Sequence, residues 1–153
     1  MDKLKVLAIE DDEEIIRLFR LALPPDIFEL KDAGNGEAGL KSYEGWRPDI
    51  ILLDIMLPLT TGYAVLQTIR KDLADTETAI IMSTSLGKKE DIVDCMKYGI
   101  QGYLIKPYNH RNITVDILNG YGKLHPERAK EAIESYKDFL VSQKKEAQEK
   151  PGQ

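Results

Sequence analysis

The chain has one cysteine, Cys95, and two histidines, His110 and His125, in 153 residues. A lone thiol closes no disulfide within a chain, and one cysteine with two scattered histidines makes a poor zinc set. Long apolar runs are missing too: none approaches the roughly 18 residues needed to cross a bilayer. The start, Met1-Asp2-Lys3-Leu4-Lys5, has neither the charged n-region nor the long apolar h-region of a secretory leader. Excess positive charge is also absent. The net charge is -5, from 21 basic and 26 acidic side chains, which argues against a nucleic-acid footprint. What is present is 42% hydrophobic and 31% charged residues, too apolar for a disordered chain. The length suits one domain with a single core. The expectation is a soluble, cytoplasmic protein without structural metal and with neither nucleic acid nor membrane as partner.

Short apolar runs alternate with amphipathic segments. Val6 to Ile9 reads as a strand, ended by Glu10-Asp11-Asp12. Glu13 to Leu23 carries a helical apolar stripe and is stopped by Pro24-Pro25. Ile27 to Leu30 is a weak strand, and Gly34-Asn35-Gly36 is a turn. Glu37 to Tyr43 reads as a short helix closed by Gly45 and the Arg47-Pro48 step. The continuously apolar Ile50 to Leu53 suits a strand covered on both faces, ending at Asp54. A loop through Gly62 leads to a helix over Tyr63 to Leu73, with Val65, Leu66 and Ile69 inward. Ala79 to Met82 is a fourth strand, ending at Ser83-Thr84-Ser85. Gly87 to Tyr98 is a helix with Ile92, Val93 and Met96 inward and Cys95 a packed small hydrophobe. Gly102 to Ile105 is a fifth strand, ending at Lys106-Pro107, and Asn109 to about Tyr121 is a fifth helix. Strand and helix repeated five times with short connections predict a parallel, doubly wound α/β sheet with helices on both faces.

Residues 1–122 form this unit. Residues 123–153 differ: Ala129, Ala132, Ile133, Tyr136, Phe139 and Leu140 give a one-sided helical pattern that fades into Gln143-Lys144-Lys145-Glu146. This extension carries +1, which leaves -6 for the rest.

In an open parallel sheet, ligands bind outside the carboxyl ends of the strands, where strand order reverses. Glu10-Asp11-Asp12, Asp54, Thr84 and Lys106 each follow an apolar strand. With the flavodoxin-like order 2-1-3-4-5 these four ends converge in one cleft. Packed carboxylates raise one another's pKa unless a cation is present, and Mg2+ takes hard oxygen ligands while keeping waters that a phosphoryl group can displace. A carboxylate can act as nucleophile toward phosphorus. The charge on the transferred group then calls for an ammonium and a hydroxyl, which Lys106 and Thr84 can provide.

These residues resemble the receiver domain of bacterial two-component response regulators. The resemblance covers roughly residues 3 to 122. It rests on Val6-Leu7-Ala8-Ile9-Glu10-Asp11-Asp12, on Pro48 to Pro58 with Gly62, on Ile81-Met82-Ser83-Thr84-Ser85 and on Gly102-Tyr103-Leu104-Ile105-Lys106-Pro107. It implies that Asp54 is the phosphoacceptor, phosphorylated by a histidine kinase or phosphotransfer protein. Glu10 and Asp11 would be the acidic pair of a Mg2+ site, with Asp11 favoured as direct ligand, alongside Asp54 and the Met56 backbone carbonyl. Thr84 and Lys106 would sense and pair with the phosphoryl group. Tyr103 would be the aromatic switch, coupling the site to a docking face on the fourth helix, fifth strand and fifth helix. The implied function is a phosphorylation-activated switch that signals by protein contact and turns over no separate substrate.

Ser85 stands where the family often has alanine, and Thr61 where an acid or amide is common. The apolar Met56 and Leu86 occupy the positions that tune hydrolysis in the family, which implies slow loss of phosphate. The extension has two readings: a docked or solvated helix, or a helix for dimerisation or a downstream partner. If docked, it would cover part of the docking face named above. Other readings of the whole are a receiver cut from a longer regulator in its linker, or a binding module that works without phosphorylation. A haloacid-dehalogenase-like phosphatase needs an acid two residues after its nucleophile, where this chain has Met56. A nucleotide-binding flavodoxin-like protein needs a phosphate loop after the first strand, where Glu10-Asp11-Asp12 stand.

Overall fold

The computed structural model describes residues 1–85 and 89–149. Five parallel strands, β1 (Leu4–Ile9), β2 (Phe28–Ala33), β3 (Ile50–Asp54), β4 (Ala79–Ser85) and β5 (Gly102–Lys106), form one sheet in the order β2-β1-β3-β4-β5. Six helices join and flank them: α1 (Glu13–Ala22), α2 (Gly36–Trp46), α3 (Gly62–Gln67), α4 (Lys89–Met96), α5 (Ile113–Gly122) and α6 (Pro126–Glu149). After α3 the chain widens into one π-helical turn, Thr68–Asp72, within the segment expected as a single helix.

Strand alternation divides the core in two. Val6, Ala8, Ile50, Leu52, Ala79, Ile81 and Leu104 pack with Phe19, Ile117 and Leu118 on the α1/α5 face. Leu7, Ile9, Ile51, Leu53, Ile80 and Met82 pack with Val65, Leu66, Ile69, Ile92 and Cys95 on the α2/α3/α4 face. Central β3 is buried at every position, as a strand apolar on both faces requires.

Several boundaries differ from the sequence expectation. Of the two expected stops of α2, the Arg47-Pro48 step holds and Gly45 does not: the helix runs on to Trp46 and ends at Arg47, whose φ of 53° is left-handed. The driver is packing: Tyr43 is fully buried, and Trp46 packs at the core edge beneath Lys5 and Lys31. Strand β4 extends through Thr84 and Ser85, because both pair with β5 opposite Ile105 and Lys106. Helix α5 begins at Ile113, not Asn109, since Asn109 spends its carbonyl and side chain on a local turn to Asn112 and Arg111. In α4, Ile92 and Cys95 face the core as expected, but Val93 and Met96 are 58% and 54% exposed. The i, i+3 pair Ile92/Cys95 fills the core slot, and the larger Val93 and Met96 are left outside. The expected start of that helix at Gly87, and Leu86, lie outside the described residues.

The extension continues as a helix well past Gln143. Ala129 and Ala132 of α6 are buried against the core, with Ile133 and Tyr136 partly so. The absent side chain of Gly122 leaves room for Ala129, whose Cβ would lie 3.2 Å from an added methyl. Arg128 pairs with Asp49 at 3.0 Å, and His125 donates to the Glu77 carbonyl at 2.7 Å while stacking on Tyr121. Further along, Phe139 and Gln143 line a groove with Met1 and Ile27. Asp49, Glu77, Met1 and Ile27 all precede strands. Helix α6 therefore docks at the amino ends of the strands and against the last turns of α5, so of the face a docked extension was expected to cover in part it meets α5, while Val93 and Met96 of α4 and Tyr103 of β5 stay exposed. Its apolar residues match the pocket that the α1/α5 core leaves open at that end. Tyr103 is 48% exposed.

Candidate phosphoacceptor site

The charged residues singled out in the sequence come together at the carboxyl ends of β1, β3 and β5. Val6 to Ile9 of β1 pair with Ile50 to Leu53 of β3, which leaves Glu10 level with Asp54. Both are buried. Their side chains share the α1/α5 face by strand alternation. Lys106 projects toward the same face from the end of β5. Its Nζ lies 3.1 Å from Asp54 Oδ2 and 3.3 Å from Glu10 Oε2. Asp54 Oδ1 accepts the Met56 N–H at 3.0 Å, so the chain after β3 turns tightly around the carboxylate. Asp11 is exposed, and one carboxylate oxygen from each of Glu10, Asp11 and Asp54 falls within 4.8 Å of the others.

The electrostatics follow from burial. Desolvation, then the nearby Asp54 charge, pushes the Glu10 carboxyl up to about 7. Burial opposes the charge on Lys106, but Asp54 and Glu10 outweigh it and hold the ammonium protonated. Glu10 Oε1 accepts the Asp12 N–H at 3.2 Å. Glu10 Oε2 is buried and accepts no hydrogen bond, although the Lys106 ammonium stands at ion-pair distance. A buried carboxylate oxygen without a donor is costly, and a hard divalent cation bound through oxygen would relieve it. The donor set thus fits Mg2+. Asp12 has another role: its side chain accepts the Glu14 N–H at 2.9 Å and caps α1.

Thr84 is buried, and its hydroxyl lies 3.4 Å from the Ser85 carbonyl rather than on Asp54. Strand alternation places Thr84 and Tyr103 together on the α4 side of the sheet, apart from the charged cluster. Met56 is 61% exposed at the rim. Two residues that sequence reasoning passed over also lie here, Ser83 and Tyr108, with their hydroxyls hydrogen-bonded. The available signals were a serine continuing an otherwise apolar strand and a tyrosine directly after Lys106-Pro107.

The loop from Asp54 to α3 depends on Gly62. Its N–H donates to the Ile55 carbonyl at 3.0 Å, and an added Cβ would fall 2.0 Å from the Asp54 carbonyl oxygen. Because that neighbour is backbone, nothing can rotate away. Gly62→Ala is therefore expected to destabilise the fold by about 3 kcal/mol or more, at the upper end of overpacking costs. Urea denaturation reads this; a loss below about 1 kcal/mol would show that the loop is slack.

A doubly wound sheet with an acidic cluster and a lysine across its switch point is the layout that the receiver resemblance implies. The comparisons agree: the family described as response regulator receiver domain matches residues 6–118. The chain belongs to this family, that of two-component response regulators. The transcriptional regulatory protein RprY of Bacteroides fragilis is 33% identical over 116 residues, 76% of this chain and 48% of that protein. ResD of Bacillus subtilis, also a transcriptional regulatory protein, is 32% identical over 113 residues, 74% of this chain and 46% of ResD. The chain thus spans about half the length of these curated relatives. Among solved structures, the chemotaxis response regulator CheY4 of Vibrio cholerae superposes with a TM-score of 0.71 at 25% identity, covering 78% of this chain and 99% of that one. A CheY-like receiver domain protein from Methanospirillum hungatei gives a TM-score of 0.74 at 25% identity, over 82% and 99%.

Proposed function

We propose that this receiver accepts a phosphoryl group on Asp54 from a histidine kinase or phosphotransfer protein and passes the signal on by protein contact. The observation that carries this reading is the ammonium of Lys106, set between the buried carboxylates of Glu10 and Asp54. A carboxylate oxygen of Asp54 attacks phosphorus, the bond from phosphorus to the donor's nitrogen breaks, and an acyl phosphate forms. Lys106 stays at hydrogen-bond distance and offsets the added negative charge. Bound at Glu10, Asp11, Asp54 and the Met56 backbone carbonyl, Mg2+ would supply further positive charge for the phosphoryl oxygens. Thr84 then turns toward the new anion, and Tyr103, on the same side of the sheet, follows.

The signal leaves through the α4–β5–α5 face, where Val93 and Met96 of α4 and Tyr103 of β5 are exposed. Such a face suits a protein partner, a downstream target or a second copy of the chain. The chain catalyses only its own phosphorylation and dephosphorylation, in the cytoplasm. Apolar Met56 at the rim positions no attacking water, so the acyl phosphate is expected to persist for minutes or longer.

Intact mass after incubation with acetyl phosphate and Mg2+ tests the proposal. One phosphoryl adduct is expected on the unsubstituted chain and none on Asp54→Asn. An adduct that survives Asp54→Asn refutes the assignment, and its decay within seconds refutes the role given to Met56. No adduct on either chain favours a binding module that works without phosphorylation.

A further inference from the structure

The hydroxyls of a buried serine and a half-buried tyrosine meet next to Asp54 and take no part in the chemistry above. Ser83 interrupts the apolar run of β4, is 2% exposed, and pairs directly with Asp54 across the β3–β4 ladder. The alternation that places Asp54 and Glu10 on the α1/α5 face places Ser83 there as well. Tyr108 reaches back over this face from the β5–α5 loop. Its hydroxyl hydrogen-bonds with Ser83 Oγ, and its ring packs against Phe19 of α1 with centroids 5.6 Å apart. The phenol also faces Glu10, Asp54 and Asp12, whose charges add to burial in keeping it protonated.

Lys106 is the last residue of β5 and pairs with Ser85. The loop from Pro107 to Asn112 follows. Its other hydrogen bonds are local, from Arg111 and Asn112 back to Asn109. Among the described residues, the Ser83–Tyr108 bond is the only hydrogen bond tying this loop to the sheet. The tie lies two residues beyond Lys106 and lands on the strand position next to Asp54.

We propose that Ser83 and Tyr108 are a positioning pair for Lys106, pinning the loop so that the ammonium stays on Asp54. This rests on the phospho-receiver reading for its kinetic consequence, not for its geometry. Misplacing an ammonium by a fraction of an ångström slows a reaction that depends on it. Removing the Tyr108 hydroxyl also leaves the buried Ser83 hydroxyl unpaired, and removing the Ser83 hydroxyl takes the partner from half-buried Tyr108, whereas removing both leaves an apolar contact. Stability and rate therefore separate.

The test compares Ser83→Ala, Tyr108→Phe and the double variant. Denaturation should show each single variant less stable and the double variant largely recovered. Adduct formation from acetyl phosphate should be slowed in all three, about tenfold. Mg2+ affinity should stay within about twofold, since the ligands stand at the ends of β1 and β3 and not on the β5–α5 loop. In a Lys106→Met background, Tyr108→Phe should slow the reaction no further. Rates that follow stability through the series, or an undiminished Tyr108→Phe effect without Lys106, would overturn the proposal. The NMR signal of the Lys106 ammonium protons reads position without phosphorylation. It should be visible in the unsubstituted chain and broadened by exchange in Tyr108→Phe; identical signals overturn the proposal. Absence of an adduct on the unsubstituted chain would instead count against the phospho-receiver reading.

Discussion

Lys106→Ala is expected to slow phosphorylation of Asp54 by about a hundredfold, the scale set by removing one preorganised electrostatic group from an active site. The substitution removes the ammonium found 3.1 Å from Asp54 and 3.3 Å from Glu10. It also leaves two buried carboxylates facing each other. Removing one partner of a buried ion pair costs about 3 to 5 kcal/mol when the remaining charge cannot be relieved. Here Glu10 can take a proton, since its carboxyl already sits at about 7 with the lysine present. The loss of stability should therefore be small near pH 5.5 and approach about 3 kcal/mol at pH 8. Urea titrations at the two pH values, with Mg2+ chelated, measure the stability part, and adduct formation measures the rate part. Equal destabilisation at both pH values would mean that Glu10 does not carry the proton.

Mg2+ is expected to stabilise the protein increasingly as pH rises toward about 7, and evenly above it. The folded, metal-free chain holds the Glu10 proton up to about 7, against the ordinary value of 4.5. A carboxyl raised on folding contributes stability that is fully present below its unfolded value and is lost as pH rises through the folded one. Glu10 alone therefore makes the metal-free protein less stable from about pH 4.5 to about pH 7. Binding the cation needs the deprotonated carboxylate and releases the proton, so the two effects oppose each other. The apparent Mg2+ affinity should rise by up to about tenfold per pH unit below 7 and flatten above it. Glu10→Gln should remove that slope. Calorimetric titration in buffers of different ionisation enthalpy reads the released proton. A pH-independent affinity would place Glu10 outside the metal site.

The fold was legible because each strand was a short apolar run bounded by polar residues, and because β3 was apolar on both faces. The charged cluster was legible for the same reason, since Glu10, Asp54 and Lys106 stand where those runs end. Packing choices were not. Sequence alone gave no means of ranking Cys95 above the larger Val93 and Met96 for the α4 core slot, because spacing permits both. Nor did it say that α6 would turn toward Asp49 and Glu77 and away from Tyr103; its apolar stripe suits either end of the sheet. The Ser83–Tyr108 bond escaped because its partners are 25 residues apart and each alone reads as an unremarkable polar substitution. That bond became visible only when the register put Ser83 beside Asp54.

The central claim is that Asp54 is the one residue that takes the phosphoryl group. After incubation with acetyl phosphate and Mg2+, reducing the acyl phosphate with borohydride converts the modified aspartate to homoserine, and peptide mass spectrometry locates it. The expected result is homoserine at position 54 alone, lost when Mg2+ is chelated. Homoserine at Asp11, Asp12 or any other aspartate, with position 54 unmodified, would contradict the claim.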